Sequence, residues 1–581
     1  MKTTAKNLAV ILAAIGMLGP VWAGGNHTHE LKDQIAQEKR KMNIYEARFP
    51  NLDLAHKAAI SFHHGLLEAN YGAGYMVFEL SDEEKEGLEK FGFKLKVAQD
   101  FINKRNAMLE RLHGGSKPQA LLGKQAPAFS GLNAEAIPSY PCYETVEETY
   151  AAAQAFTTTY PNLASWTAVG KSWEKTNNLG GYDIYVLKLT NKSVSGTKPI
   201  LFIQSSIHAR EYTTAPLNLA FARELLSGYG NNADATWILD NQEVHFMFYV
   251  NPDGRKKAET GLSWRKNTNR NYCGSTSNSR GADLNRNFSH SWNSTNGQGS
   301  SGSVCNETYR GPSAGSEPET KAVEAYIRSI WPDRRGPGST DPAPTDTSGI
   351  HLDIHSYSQL VLWPWGNTST KAPNGTAMQT LGRRLAFFNG YKPQQSVGLY
   401  PTDGTSDGPS YGELGVAAFT IELGTSFFES CTSYNNTTKP KNLPALWYAA
   451  KVTRAPYITP AGPNVSKPAL SPNAATTPVT AGTSLALSAT ANDAQFNQSN
   501  GAEPTQAIAA AEYYIDIPPW KSGARAIAMT ATDGAFNATS EGVKATLSTS
   551  GLSVGKHIVY VRAKDASGAW GPVSAEFIQI K

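Results

Sequence analysis

His208 and Glu211 stand three residues apart, between the apolar run Ile200–Ile203 and a helix-like stretch, Leu217–Leu226. An imidazole and a carboxylate on a tight turn at a strand exit can converge on one point, and zinc accepts both ligand types. Two donors do not make a site. His355 closes a second strand-like run, Gly349–Ile354, and sites in open parallel sheets form at such strand ends. Together the three residues offer two imidazoles and one carboxylate with a fourth position open, the pattern of a catalytic rather than a structural zinc. His351 competes as a ligand, but alternation places it well down the strand, so it is assigned to packing, as is His245. His27 and Glu30 repeat the spacing in a polar segment with no preceding strand and are read as a solvated tail. Asp283, in Gly-Ala-Asp-Leu-Asn-Arg-Asn-Phe, is a candidate carboxylate to accept the second N–H of a ligating histidine.

The elements around these residues imply an α/β domain over 138–458. Strands are expected at Tyr185–Leu189, Ile200–Gln204, Val244–Val250, Gly349–Ile354 and Val416–Leu423. Helices are expected at Val146–Phe156, Pro216–Leu226, Glu317–Ile330, Asn374–Phe388 and Leu443–Val452. That alternation predicts a mixed, mainly parallel central sheet flanked by helices, with the polar stretch 255–315 as loops. Residues 24–113 read as a small α+β unit: Leu31–Phe49 is helical by pattern, Gly74–Leu80 and Phe93–Val97 are strand-like, and Ser81-Asp-Glu-Glu84 starts a helix. Gly, Pro, Ala and Ser dominate 114–137, a linker. A folded unit on such a linker indicates a propeptide; a permanent N-terminal domain is the alternative. After a Pro-rich stretch at 459–468, strands at Leu485–Ala489, Glu512–Ile517, His557–Lys564 and Pro572–Ile580 indicate a β-sandwich-like domain of immunoglobulin or fibronectin type to residue 581.

Residues 1–23 have Lys2 and Lys6, the apolar run Leu8–Leu18 and a small residue at Ala23, the pattern of a secretory signal peptide. The protein is therefore expected outside the cytoplasm, secreted or periplasmic, with no membrane span once the signal is removed. Four cysteines fit that compartment. Three pairings are open; Cys273–Cys305 would staple one polar insertion and Cys142–Cys431 would join the ends of the α/β domain. The net charge is +4 over 581 residues with no basic block, which gives no support to a nucleic-acid partner.

The ordered motifs His208-Ala-Arg-Glu211, Asn251-Pro-Asp-Gly254, Trp264-Arg265, Asp283-Leu-Asn-Arg-Asn287, Asp353-Ile-His-Ser-Tyr357, Tyr400 and Phe419-Thr-Ile-Glu-Leu423 resemble those of the zinc metallocarboxypeptidases, including carboxypeptidases A, B and T, over roughly residues 140–455. The resemblance implies a zinc site of His208, Glu211 and His355, with Asp283 behind the first histidine. It implies Glu422 as general base and Arg265 as the group that polarises the scissile carbonyl. Asn285, Arg286 and Tyr400 would hold the substrate's terminal carboxylate, and Arg210 would line the groove. Substrates would be peptides or proteins with a free C-terminus, and the enzyme is expected as a monomer with one zinc ion.

Those residue types suit the chemistry. Zinc lowers the pKa of bound water, and a carboxylate must move the proton to the leaving amine. A guanidinium fork suits a carboxylate, and a clamp on the terminal carboxylate defines an exopeptidase. In the resembled family the residue seven after the tyrosine lies at the floor of the side-chain pocket, here Asp407, which implies a basic or mixed C-terminal preference. Asp403 competes for that register, and Gly408-Pro409 departs from the family's usual Asp-Trp. A cell-wall peptide amidase of the same fold and a zinc-free binding protein are the alternatives. The clamp residues argue against the first and the complete ligand set against the second.

Overall fold

A computed structural model describes residues 43–62, 65–103 and 136–581. The expected signal segment, the His27–Glu30 pair and most of the 114–137 linker lie outside the described residues.

The N-terminal unit is a four-stranded antiparallel sheet, β1 (Asn43–Arg48), β2 (Leu66–Asn70), β3 (Tyr75–Leu80) and β4 (Lys94–Val97), in the order β2-β3-β1-β4. Helices α1 (Leu52–Ser61) and α2 (Asp82–Lys90) accompany it. Ser81 and Glu84 form a reciprocal capping box at the start of α2. The helical reading of Leu31–Phe49 is overturned in its described part. Residues 43–48 alternate exposed and buried as β1, and that period of two wins over helix-tolerant composition.

The α/β domain is built on eight strands: β5 (Ala164–Lys171), β6 (Asp183–Leu189), β7 (Ile200–Ser205), β8 (Glu243–Met247), β9 (Ile350–Ser356), β10 (Leu360–Trp363), β11 (Lys392–Gln395) and β12 (Ala417–Leu423). Their order is β11-β10-β12-β9-β7-β8-β6-β5. The central four, β12-β9-β7-β8, are parallel, and antiparallel pairs join them to the flanks, which makes the sheet mixed. Helices α3 (Val146–Thr159), α4 (Thr214–Gly228), α5 (Ala233–Asn241), α6 (Pro252–Ala258), α7 (Pro318–Ile330), α8 (Gly375–Asn389) and α9 (Lys439–Val452) complete it. One face of the sheet packs with α4, α8 and α9 residues and the other with α7, so β9 is buried at every position. Helix α6 starts with Asn251 as cap and Pro252 in its first turn, where a missing N–H costs nothing. Strand β5, the short strands β10 and β11, and helices α5 and α6 were not foreseen. Phe248–Val250, expected as the end of a strand, lies beyond β8, whose last residue is Met247.

Disulfides join Cys142 to Cys431 and Cys273 to Cys305. The first closes a 289-residue span.

Residues 464–580 form an antiparallel sheet in the order β13 (Asn464–Val465), β15 (Ser484–Asn492), β18 (Ser540–Ser548), β17 (Ile527–Ala531), β16 (Ile508–Ile515), β19 (Gly555–Asp565), β20 (Ser574–Ile580), with β14 (Ala469–Ser471) paired to β15. The sandwich-like domain is a nearly closed, continuous sheet around one core that includes Leu485, Tyr513, Val543, Val561 and Ile578. It is fastened to α8. Buried Arg384 donates to Pro460 O, Gly462 O and Asp493 Oδ1, at 3.0, 2.7 and 3.0 Å. The Pro-rich stretch expected as a linker is thus held against the α/β domain.

The N-terminal unit shares a hydrophobic cluster with the α/β domain, in which Met76, Phe78 and Leu80 meet Leu360, Leu362 and Leu399. Tyr71 Oη donates to Leu399 O at 3.1 Å, and Tyr357 Oη donates to Glu79 Oε2 at 2.9 Å. Among the described residues no helix is long and apolar enough to cross a membrane.

Candidate metal centre and substrate cleft

Strand β7 ends at Ser205, and Ser206 turns the chain with φ of 52° to present His208 and Glu211. Asn251 ties this turn to a second loop: its side chain donates to Ile207 O at 3.2 Å and to Lys266 O at 2.9 Å. Ala209 N also donates to Arg265 O at 3.2 Å. The buried Asn251 amide therefore fixes Arg265 beside the His208 turn. His355 arrives from β9, one strand over, in register with Glu422 on β12.

His208, Glu211 and His355 place one donor atom each within 4.8 Å of one another. His208 Nδ1 lies 2.7 Å from Glu211 Oε1, and His355 Nδ1 lies 3.1 Å from His208 Nδ1 and 3.2 Å from Glu211 Oε2. The opposite ring nitrogens face carboxylates, His208 Nε2 at 3.2 Å from Asp283 Oδ1 and His355 Nε2 at 3.0 Å from Asp353 Oδ2. Both imidazoles thus turn Nδ1 toward the shared point.

The donor set fits a divalent cation. Burial would raise the Glu211 carboxyl, but His208 and His355 outweigh it and bring it down to about 2. Burial would lower His355, but Asp353 and Glu211 raise it well above its ordinary range. The carboxylates thus demand positive charge at the point where the two Nδ1 atoms meet. Glu211 Oε2 is buried and faces His355 Nδ1 at 3.2 Å without a well-formed hydrogen bond. Two imidazoles and one carboxylate converging on a buried point are zinc's preferred ligand chemistry.

Asp283 bridges the metal residues to Arg265. Its Oδ2 accepts Arg265 Nε at 3.1 Å and Nη2 at 2.8 Å. Burial would raise Asp283, but Arg265 and His208 hold it well below the usual carboxylate range. Nη1 remains as the Arg265 donor for a ligand. Glu422 is only half-buried and has no ion-pair partner within salt-bridge range among the described residues. Burial, opposed by His355 and reinforced by Glu211, raises its carboxyl to about 7.

Arg286 is buried, with Nε on Gly299 O (2.8 Å), Nη1 on Asn285 O (2.6 Å) and Nη2 on Tyr400 Oη (3.1 Å). Three of its five N–H groups are committed and two remain. Asn285 Oδ1 accepts Ser406 N at 2.9 Å, and its Nδ2 lies 3.2 Å from His355 Nε2. Gly404 lets the Tyr400–Asp407 loop lie on this arginine: at its φ of +61° a Cβ would come within 2.5 Å of Arg286 O. Asp403 is buried and accepts from Thr295 N and Oγ1, at 3.0 and 2.5 Å. Asp407 is half-buried, accepts from Thr405 Oγ1 at 2.5 Å, and is raised by burial. Arg210 stacks on Phe427, 4.3 Å from the ring centroid, and pairs with Glu307 at 3.3 Å.

A family model described as zinc carboxypeptidase matches residues 149–442. The chain belongs to the zinc carboxypeptidase family. It is 32% identical over 299 residues to a zinc carboxypeptidase of Saccharothrix mutabilis subsp. capreolus, covering 49% of this chain and 62% of that relative, under two thirds of its length. It is 30% identical over 322 residues to carboxypeptidase A1 of Mus musculus, covering 52% and 69% of the two chains. The crystal structure of carboxypeptidase A from Helicoverpa armigera superposes with a TM-score of 0.50 at 22% identity, over 71% of this chain and 97% of that one, a likeness of fold.

Within this zinc carboxypeptidase domain, His351 and His245 are packing residues as expected: His351 stacks on Phe202 and bonds Ser410 Oγ, and His245 meets Tyr326 and Glu243. Asp353 opens one of the sequence motifs but was given no role, and Ser406, Glu307 and Phe427 were not singled out from sequence. Asp353 was legible in principle, since residues two apart on a strand share a face and it stands two before His355. Ser406 adjoins Asp407, but nothing local marks its bond to Asp353, and Glu307 and Phe427 reach the site from other loops with no local signal.

Proposed function

We propose that the protein is a secreted zinc carboxypeptidase that removes the C-terminal residue of peptides and proteins. The observation that carries this is the joining of two constellations in one cleft. Asn285 touches His355 of the three-donor cluster, and the adjacent Arg286 reaches Tyr400. A metal centre alone would serve any hydrolase; one beside a guanidinium–phenol clamp selects a substrate with a free terminal carboxylate.

His208, Glu211 and His355 would hold the metal. When bound, zinc supplies Lewis acidity and lowers the pKa of a coordinated water. Arg286, with two N–H groups to spare, and Tyr400 bind the terminal carboxylate and set the register of the scissile bond. Arg265, anchored by Asp283, donates from Nη1 to the carbonyl oxygen as negative charge develops there. Glu422 takes the proton from the attacking water and passes it to the leaving amine. A carboxyl raised to about 7 is suited to both halves of that transfer.

The side-chain pocket is read as acidic, for a basic or mixed C-terminal preference. Asp403, the competing register, is consumed by Thr295, whereas Asp407 remains partly open. The N-terminal unit is read as a propeptide: Tyr71 and Glu79 hold Leu399 and Tyr357, so it sits on the rim of the cleft. Two disulfides and the leading apolar segment support secretion.

The test is release of a single amino acid from an N-blocked dipeptide by the trimmed protein, with metal analysis and a chelator control. One residue released, abolished by chelation and restored by zinc, is the expected result. Internal cleavage, or full activity after complete metal removal, overturns the reading.

A further inference from the structure

The first zinc-site histidine has an expected carboxylate partner, Asp283; the second has one that nothing in the sequence motifs assigns. His355 Nε2 lies 3.0 Å from Asp353 Oδ2. The same oxygen accepts the hydroxyl of Ser406, whose backbone N–H is held by Asn285 Oδ1 at 2.9 Å. Asp353, His355 and Ser406 are all buried, and Asp353 Oδ1 has no hydrogen-bond partner, so Oδ2 carries both contacts.

We propose that Asp353 is the positioning residue for His355, fixing its ring so that Nδ1 is presented to the metal, and that through Ser406 it couples this ligand to the loop that carries Asp407. The inference rests on the zinc reading of the site. Two groups crowd His355 Nε2: Asn285 Nδ2, at 3.2 Å, is a donor and Asp353 Oδ2 is only an acceptor. A ring nitrogen cannot serve both. The carboxylate requires the proton on Nε2, which leaves the Nδ1 lone pair for the metal and releases the Asn285 amide for a substrate. Without Asp353 the Asn285 amide would favour the opposite tautomer, with the proton on Nδ1 in the metal's place. A carboxylate behind a ligating histidine raises its basicity as well as orienting it.

The experiment measures zinc affinity by competition with a chromophoric chelator on the full chain, for wild type, Asp353→Asn, Asp353→Ala and Ser406→Ala. The visible spectra of the cobalt(II)-substituted proteins report the ligand geometry. Asp353→Ala is expected to bind zinc roughly 10- to 100-fold more weakly and to shift the cobalt spectrum. Asp353→Asn, which keeps an oxygen acceptor, is expected to fall between it and wild type. Ser406→Ala is expected to weaken zinc less than Asp353→Ala. If Asp353→Ala does not fold, Asp353→Asn and Ser406→Ala carry the test. Wild-type affinity and spectrum in the folded Asp353 variants overturn the proposal while leaving the zinc site standing; a wild type that binds no zinc overturns both.

Discussion

Arg286 Nη2 donates to Tyr400 Oη across 3.1 Å, a bond between residues 114 apart in sequence. The guanidinium is buried and anchored on two backbone carbonyls, whereas the tyrosine sits on a loop laid over it. The arginine is thus anchored by the backbone around it, and the tyrosine reaches it from a separate loop.

Arg286→Ala is expected to lower kcat/KM on blocked dipeptides by about 100-fold or more. Removing a charge-assisted bidentate partner costs about 1.5–3 kcal/mol per bond. Tyr400→Phe removes one hydroxyl and is expected to cost about tenfold. Arg286→Lys should rescue little, because a lysine lacks the fork. Steady-state kinetics on the three variants checks the order; equal losses for Tyr400→Phe and Arg286→Ala would contradict the division of labour.

Glu422→Gln is expected to retain zinc and lose kcat by about 10²–10⁴-fold, the range for a positioned general base. The sign of the pH effect follows from the carboxyl raised to about 7. The base must be ionised, so kcat/KM should rise with pH through an acid limb below neutrality, the bound metal drawing its midpoint down from 7. Kinetics from pH 4.5 to 9 locates the limb. A limb unchanged in the residual activity of Glu422→Gln would assign it elsewhere.

Much of this site was legible before the fold. His208, Glu211 and His355 could be read because ligands at strand ends leave a local signature of an apolar run broken by a polar turn. Their convergence depends on β7 and β9 being adjacent, which alternation implies but does not prove. Short strands such as β10 carry too few residues to show a period. In the C-terminal domain residues 507–510 are alanine-rich and suit a helix by composition, yet 508–515 is a strand, because pairing with β17 and β19 overrides alanine's local preference. Contacts such as Ser406 to Asp353 and Arg210 to Glu307 are products of tertiary structure alone.

Trimming within 114–137 is expected to raise kcat/KM on protein-sized substrates at least tenfold. Each of the two rim hydrogen bonds, from Tyr71 to Leu399 and from Tyr357 to Glu79, is worth about 1 kcal/mol, or roughly fivefold in the docked population. Tyr71→Phe with Glu79→Ala should therefore raise precursor activity about tenfold or more. Equal rates for precursor and trimmed enzyme would make the N-terminal unit a permanent domain.

Asp407→Ala is expected to reduce cleavage of C-terminal Arg and Lys substrates by about 10- to 100-fold relative to C-terminal Phe, since a lost buried counter-charge costs about 1.5–3 kcal/mol. Asp403→Ala should instead loosen the Thr295 contact and lower both substrates together. Paired substrate kinetics separates the two; an unchanged Arg-to-Phe ratio in Asp407→Ala would dismiss an acidic pocket.

Away from the cleft, Glu319 sets a pH dependence of stability. Its Oε1 accepts from Trp173 N at 2.6 Å and its Oε2 from Asn267 Nδ2 at 3.1 Å, and Asn267 Nδ2 also bonds Glu317 Oε2 at 2.8 Å. Burial, then the neighbouring Glu317, raises the Glu319 carboxyl from 4.5 to about 8. The folded protein keeps a proton that the unfolded chain releases near pH 4.5. Stability linked to this group is therefore complete below about pH 4.5, falls as pH rises, and is exhausted above pH 8. The slope cannot exceed about 1.4 kcal/mol per pH unit for one proton. Glu319→Gln keeps an oxygen for Trp173 N–H and has no proton to lose, so its melting temperature should fall less between pH 5 and 8.5 than that of the parent. Parallel melting curves across that range, measured by circular dichroism, would show that Glu319 stays ionised in the folded protein.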